Sequence, residues 1–175
     1  LSELALGWAT YGGDHLSMYA VNGSVPKTLI RHVLSVYAER CKKENAVLSA
    51  VLRDIVNTPV SPELLPPKEG EISQVTENIV GPYELHDFFI WHMIHRGASP
   101  KKVLRLAKAA FAGEYTEEQI RATLRIFVRR FLSQQFKRSC MPDGPKVTQV
   151  SFSPRGDWRM PSDAVSGLWM KEIEE

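Results

Sequence analysis

Cysteine is scarce in this sequence: Cys41 and Cys140 are the only two among 175 residues. Two thiols so far apart build neither a disulfide scaffold nor a metal knuckle, and a reduced, cytoplasmic setting follows as the expectation. Long apolar runs are also missing. None approaches the roughly 20 residues that a bilayer-crossing helix needs, so no membrane partner is expected. Charge of one sign is lacking as well: 22 Lys and Arg against 20 Asp and Glu leave a net charge of +2. With arginines as scattered as Arg121, Arg125, Arg129 and Arg130, that gives no basic stripe of the strength nucleic-acid binding requires. The 11 Gly and 11 Pro follow no period, which excludes collagen-like sequence. No basic stretch followed by an apolar one marks a signal peptide at Leu1. What the chain does have is 43% hydrophobic residues, enough for a core in one domain-sized unit.

The apolar spacing is helical along most of the chain. Ser2 is read as capping a helix that runs to Tyr11, with Leu4, Trp8 and Tyr11 on one face. Gly12 and Gly13 break it. Ser24 and Pro26 mark a second start, and Leu29, Ile30, Val33, Leu34 and Tyr37 extend that helix to about Cys41. Asn45 caps a third from Ala46 to Val56. Residues 57–82 hold seven Pro and Gly and read as one long loop, the length at which loops in compact domains are usually functional or disordered. A helix apolar on much of its surface follows from Tyr83 to about His95, and another from Ser99-Pro100 to about Phe111. Thr116-Glu117-Glu118-Gln119 is a capping box opening a helix with Ile120, Leu124, Phe127, Val128 and Phe131 on one face. Residues 136–175 read as irregular, with an extended stretch at 147–152 and a last helix between 163 and 174. The fold class expected of the chain by itself is mainly α.

Several residues offer chemistry. Glu3 is a candidate ligand for Mg²⁺, which prefers oxygen donors shared with substrate phosphates. Trp8 is a stacking platform for a ring. Lys27, at the start of a helix, sits where its own charge and the helix N-terminus favour phosphate. The same three also read blandly, as a first-turn dipole partner, a core residue and a solvated lysine. Lys137 and Arg138 close the arginine-bearing helix, where the helix dipole alone accounts for cations, although Arg also suits phosphate. His92 and His95 lack the further ligands a tetrahedral metal site needs, and His in so aromatic a helix is more often a core residue.

A resemblance then adds to this reading. L-S-E-L-A-L-G-W-A-T-Y-G-G-D-H-L-S-M-Y-A-V-N-G-S-V-P-K-T at 1–28 resembles the segment that follows the ATP-binding core in glutamine-dependent NAD synthetases. Ser61-Pro62-Glu63-Leu64 with G-P-Y-E-L-H-D-F at 81–88 is similar to their mobile loop and next helix. S-Q-Q-F-K-R-S-C-M-P-D-G-P-K at 133–146 and S-F-S-P-R-G-D-W-R-M-P-S-D at 151–163 resemble their C-terminal blocks. The likeness covers nearly the whole chain in order.

The resemblance implies a C-terminal part of a synthetase domain, which in the whole enzyme is an α/β adenine-nucleotide-hydrolase-like (ATP pyrophosphatase) fold. The implied reaction is ATP- and Mg²⁺-dependent amidation of deamido-NAD through an acyl-adenylate, with ammonia from glutamine hydrolysed in a nitrilase-like domain. Glu3, Trp8 and Lys137 match deamido-NAD-binding positions, with Glu3 also at the metal. Asp14 and Lys27 match groups around the reacting carboxylate and phosphates. Lys27, Ser61 and Arg138 are the expected ATP or phosphate ligands. The family's S-G-G-x-D-S loop and its nitrilase residues do not occur in these residues, so the chain by itself is expected to be inactive. In the whole enzyme the apolar helices at 26–41 and 83–95 are expected to cover its sheet or a second subunit, and homo-oligomers are expected. Another ATP-dependent amidating ligase of the same fold, or a non-catalytic helical assembly module, are the readings that compete.

Overall fold

The computed structural model describes residues 1–13, 17–59 and 76–175. Nine α-helical segments carry the fold, and no strand occurs among the described residues. They are α1 (Ser2–Leu6), α2 (Lys27–Cys41), α3 (Ala46–Asn57), α4 (Thr76–Val80), α5 (Tyr83–Phe89), α6 (Pro100–Ala110), α7 (Glu117–Ser133), α8 (Gln135–Arg138) and α9 (Gly167–Glu174), with α5 continuing into a π-helical turn, Ile90–His95.

The core is built around α7. Its capping box closes as the sequence indicates, Thr116 accepting from the Gln119 N–H and Gln119 accepting from the Thr116 N–H. Ile120, Leu124, Phe127, Val128 and Phe131 are then buried on one stripe, against Leu85 and Phe89 of α5, Val103 and Ala107 of α6, and Ala5 and Leu6 of α1. Rings cement the contact: Phe127 meets Phe131 at 5.6 Å and Phe89 at 5.7 Å, while Phe131 meets Phe152 at 5.6 Å. Burial of such side chains contributes on the order of 2 kcal/mol each.

Several expectations are corrected. The first helix ends at Leu6 instead of Tyr11, because Gly7 takes the left-handed conformation (φ 56°) and the chain turns, the Gly7 and Trp8 N–H groups donating to Leu4 and Glu3 carbonyls. Ser2 is inside α1 and is not its cap. Pro26 occupies the N-cap of α2, and the Ser24 hydroxyl instead donates to the Pro145 carbonyl at 3.1 Å and accepts from the Val147 N–H at 2.7 Å. The span 57–82 is not all loop: α4 lies within it, while residues 60–75 fall outside the described ones. In 136–175 the last helix expected between 163 and 174 is present as α9, and the start of the segment, read as irregular, continues α8 instead. The stretch 147–152 forms no ladder. It runs past the 20–24 turn, to which the Thr148 hydroxyl binds it (2.6 Å to Ser24 O), while just upstream the Asp143 carbonyl accepts from the Ala20 N–H (2.7 Å). No helix of the described residues is long and apolar enough to cross a membrane.

Candidate functional site

The site begins with a helix too short to stand alone. Five residues cannot offset the cost of nucleating a helix, and α1 leaves its C-terminal carbonyls without intrahelical partners. Three cations supply what the backbone lacks. Arg138 donates from Nη1 to the Leu4 and Ala5 carbonyls (3.1 and 2.9 Å), Arg130 from Nε to Leu6 (2.8 Å), and Lys137 from Nζ to Gly7 (3.0 Å) and Ala9 (2.8 Å). Positive groups at this end also complement the helix dipole. Gly7 permits the close approach. A Cβ there would lie 2.3 Å from the Gln134 Cβ.

These bonds correct one expectation and refine another. Arg138 is fully buried, stacked 4.6 Å from the centre of the Phe131 ring, with further bonds to the Gln135 side chain and the Phe131 carbonyl. Burial lowers its pKa to about 10. All three of its nitrogens are engaged by protein acceptors, in α1, at Gln135 and at Phe131, and none is at the surface where a phosphate would bind. Lys137 is half-buried and bonds the carbonyls on either side of Trp8 in sequence, and its pKa is lowered by burial and by the neighbouring Arg130. Arg130 covers one face of the Trp8 ring, its guanidinium 4.9 Å from the ring centre.

At the other end of α1, Glu3 and Lys27 form an ion pair at 2.8 Å. Lys27 opens α2, and that helix start is tied down by residues of two other helices. The Lys27 N–H donates to the Ser2 hydroxyl (2.8 Å), which in turn donates to the Asp87 carboxylate. The other Asp87 oxygen accepts from the Thr28 N–H (3.0 Å) and hydroxyl (2.7 Å). Asp87 thus caps α2 from α5. Tyr83 lies between the two ends of the site, its ring 5.8 Å below the Lys27 ammonium. Its hydroxyl is buried without a partner among the described residues, and burial with the nearby Glu3 carboxylate raises its pKa far above the ordinary value.

The structure therefore pairs Glu3 with Lys27 and groups Trp8 with Lys137 through the Gly7 turn. Asp14 and Ser61 lie outside the described residues. Sequence reasoning missed Arg130, Asp87 and Tyr83 as members of this neighbourhood. Asp87 carried a signal, a carboxylate in an otherwise apolar helix; Arg130 looked like any solvated arginine. For Mg²⁺ the donor set is thin. Glu3 is engaged by Lys27, and no group of three or more His, Cys, Asp or Glu suited to a metal occurs among the described residues.

The site thus gathers an ion pair, a half-buried tryptophan under a guanidinium and a lysine on the carbonyls beside it. Over 99% of this chain the fold matches 25% of a solved chain, the glutamine-dependent NAD(+) synthetase from Cytophaga hutchinsonii, with a TM-score of 0.71 at 19% identity. The fold is thus that of a helical portion of a much larger enzyme. By sequence, the chain is 41% identical over 99% of its length to the glutamine-dependent NAD(+) synthetases of Mycobacterium leprae and Mycobacterium tuberculosis, and 28% identical over 91% to that of Aquifex aeolicus. No family model matches. The chain is homologous to a part of the glutamine-dependent NAD(+) synthetases, spanning 28% of the length of the mycobacterial relatives.

Proposed function

We propose that this chain forms part of the site at which a longer polypeptide amidates deamido-NAD to NAD. The observation that carries the reading is the 41% identity, held over 99% of the chain, to glutamine-dependent NAD(+) synthetases. The geometry is compatible with it at four positions. Trp8 keeps a ring face beside Arg130 for a flat substrate moiety, and Lys137 bonds the carbonyls on either side of it in sequence. Lys27 presents an ammonium at a fixed helix start, and Glu3 holds that ammonium in place.

The chemistry explains why such groups are needed. Ammonia does not displace oxide from a carboxylate. The substrate carboxylate oxygen therefore attacks the α-phosphorus of ATP, and pyrophosphate leaves. Ammonia then adds to the acyl carbon, AMP departs with the carboxylate's oxygen, and the amide loses a proton. Two polyanions must meet in the first step, and positioned cations lower that barrier. Lys27 is the cation placed for it, and Lys137 orients the nucleotide against Trp8. Mg²⁺, when bound with ATP, neutralises phosphate charge; the described residues supply no more than Glu3 to it. Asp14 and Ser61 are proposed as further polar ligands of the same site. Glutamine supplies the ammonia from another domain, and the 175 residues alone, without a phosphate-binding loop of S-G-G-x-D-S type, do not complete the reaction.

The test uses the full-length polypeptide with Lys27→Ala or Lys137→Ala. NAD formation should fall at least 100-fold for Lys27→Ala and 10-fold for Lys137→Ala, with ammonium salts as well as with glutamine, while glutamine hydrolysis persists. Undiminished NAD formation with an altered oligomer size would instead establish a helical assembly role.

A further inference from the structure

Tyr83 is firmly held between the two ends of the site, yet its hydroxyl bonds nothing among the described residues. The turn that delivers it is tight. Gly81 takes the left-handed conformation (φ 92°), and a Cβ there would lie 2.7 Å from the Thr123 side chain of α7. Pro82 then opens α5, and the Tyr83 N–H donates to the Glu77 carboxylate at 3.0 Å. The residue is 3% exposed, its ring edge-on to the His86 ring at 6.2 Å and 5.8 Å from the Lys27 ammonium. A buried donor left unpaired costs stability, and folded proteins keep few of them.

Three carboxylates surround this phenol closely enough to disfavour its ionisation: Glu3, with the largest effect, then Glu77 and Asp87. Glu77 is engaged as the cap of Tyr83 itself. Asp87 accepts from the Ser2 hydroxyl on one oxygen and from the Thr28 N–H and hydroxyl on the other. Glu3 has capacity left. Lys27 holds its Oε1 at 2.8 Å, and its Oε2 accepts from no described residue. An anion that takes the Lys27 ammonium draws it off Glu3. A carboxylate stripped of its cation beside a polyanion is costly unless another donor reaches it.

We infer that Tyr83 is a positioning residue for the proposed reaction: when Lys27 turns to the substrate anion, the Tyr83 hydroxyl donates to the Glu3 carboxylate and holds it in the site. The phenol suits this exchange. It keeps its proton wherever Glu3 is charged, and a phenol-to-carboxylate bond is charge-assisted. The inference rests on the reading of Lys27 as the cation that meets the substrate.

The experiment places Tyr83→Phe, Glu3→Gln and the pair in the full-length polypeptide. Removing the hydroxyl leaves the ring's packing intact, so the urea midpoint of Tyr83→Phe should equal or exceed the parent's. With ammonium salts its kcat/KM for deamido-NAD should nevertheless fall by roughly fivefold or more, mainly through KM, while glutamine hydrolysis continues. In the Glu3→Gln background the same change should cost less than roughly twofold, because the acceptor is altered already. Calorimetric titration with deamido-NAD repeats the cycle on Kd, so that a slow Glu3→Gln variant still reports. A lowered midpoint in Tyr83→Phe gives the hydroxyl a structural bond and overturns the inference. So does a smaller loss of kcat/KM, or a larger one in Glu3→Gln, which would put the phenol on the ligand itself. Parental kinetics in Tyr83→Phe sink this inference alone; a parent polypeptide that makes no NAD from deamido-NAD sinks the functional reading, and this one with it.

Discussion

Lys137 and Arg138 are adjacent in sequence and both basic, yet they do different work. Arg138 is sealed in the core and satisfies three carbonyls and a side-chain amide, whereas Lys137 is half-buried and bonds the carbonyls on either side of Trp8. Arg138→Met would strand several buried acceptors, each costing roughly 1–3 kcal/mol, so urea denaturation should show a loss of about 3 kcal/mol or failure to fold. Lys137→Ala removes two carbonyl bonds made by a side chain that is only half-buried, so it should lower stability by no more than about 1 kcal/mol and act on substrate binding. If both variants lost stability alike, the division of labour would be wrong. The sequence placed the two cations together at a helix end but said nothing of which one faced inward, because that depends on where a five-residue helix more than a hundred positions away is packed.

His86 makes a second residue-scale case. It is fully buried, its Nε2 2.8 Å from the Val80 carbonyl and its Nδ1 without a partner among the described residues, and burial lowers its pKa to about 4. The folded state therefore resists protonation that the unfolded chain accepts near its ordinary value of 6.5. The unfolded state binds the extra proton between those two values, so stability is full above pH 6.5 and declines as pH falls toward 4. The decline from this one group is about 3 kcal/mol. Urea titrations from pH 7 to 4.5 should show it in the parent chain and show it reduced in His86→Gln. A His86→Gln variant with the parent's pH dependence would refute the assignment.

At the scale of elements, the start of α2 depends on Asp87 in α5, which caps it across the fold. Removing an N-cap acceptor costs about 1 kcal/mol, with up to 2 in favourable cases. Asp87→Ala should therefore destabilise the domain by 1–2 kcal/mol and, by loosening the helix that carries Lys27, raise the KM of the full-length polypeptide more than it lowers kcat. Gly7→Ala should do worse, through positive φ and the collision with Gln134 together. Most elements were legible: Asn45, Ser99 and the Thr116–Gln119 box cap where the sequence places them. Local capping chemistry needs no knowledge of the fold. The first helix was drawn too long for the opposite reason. Trp8 and Tyr11 fit a helical stripe, but Gly7 turns the chain so that Trp8 meets Arg130, and no local rule shows that ring contact.

At the scale of the whole molecule, the sequence conveyed a mainly α unit of adequate core and the likeness to a known enzyme. Val33 and Tyr37 of α2 and Val51 and Ile55 of α3 were legible as apolar but not as exposed. Amphipathic spacing tells which side is apolar and not whether the partner is present among the residues in hand. The pairing of Glu3 with Lys27 was legible only as proximity of two candidates, since helix starts at positions 2 and 27 carry no sign of their mutual approach. The near-neutral charge has a structural counterpart: the cations nearest the site are committed to carbonyls or to Glu3, and few remain for a diffuse electrostatic surface.

The central claim is that these residues help activate the carboxylate of deamido-NAD. ATP–pyrophosphate exchange isolates that step from glutamine hydrolysis and from ammonia attack. In the full-length polypeptide, exchange should depend on deamido-NAD and fall at least 100-fold in Lys27→Ala while glutamine hydrolysis continues. Exchange that needs no deamido-NAD, or that survives intact in Lys27→Ala, would contradict the account.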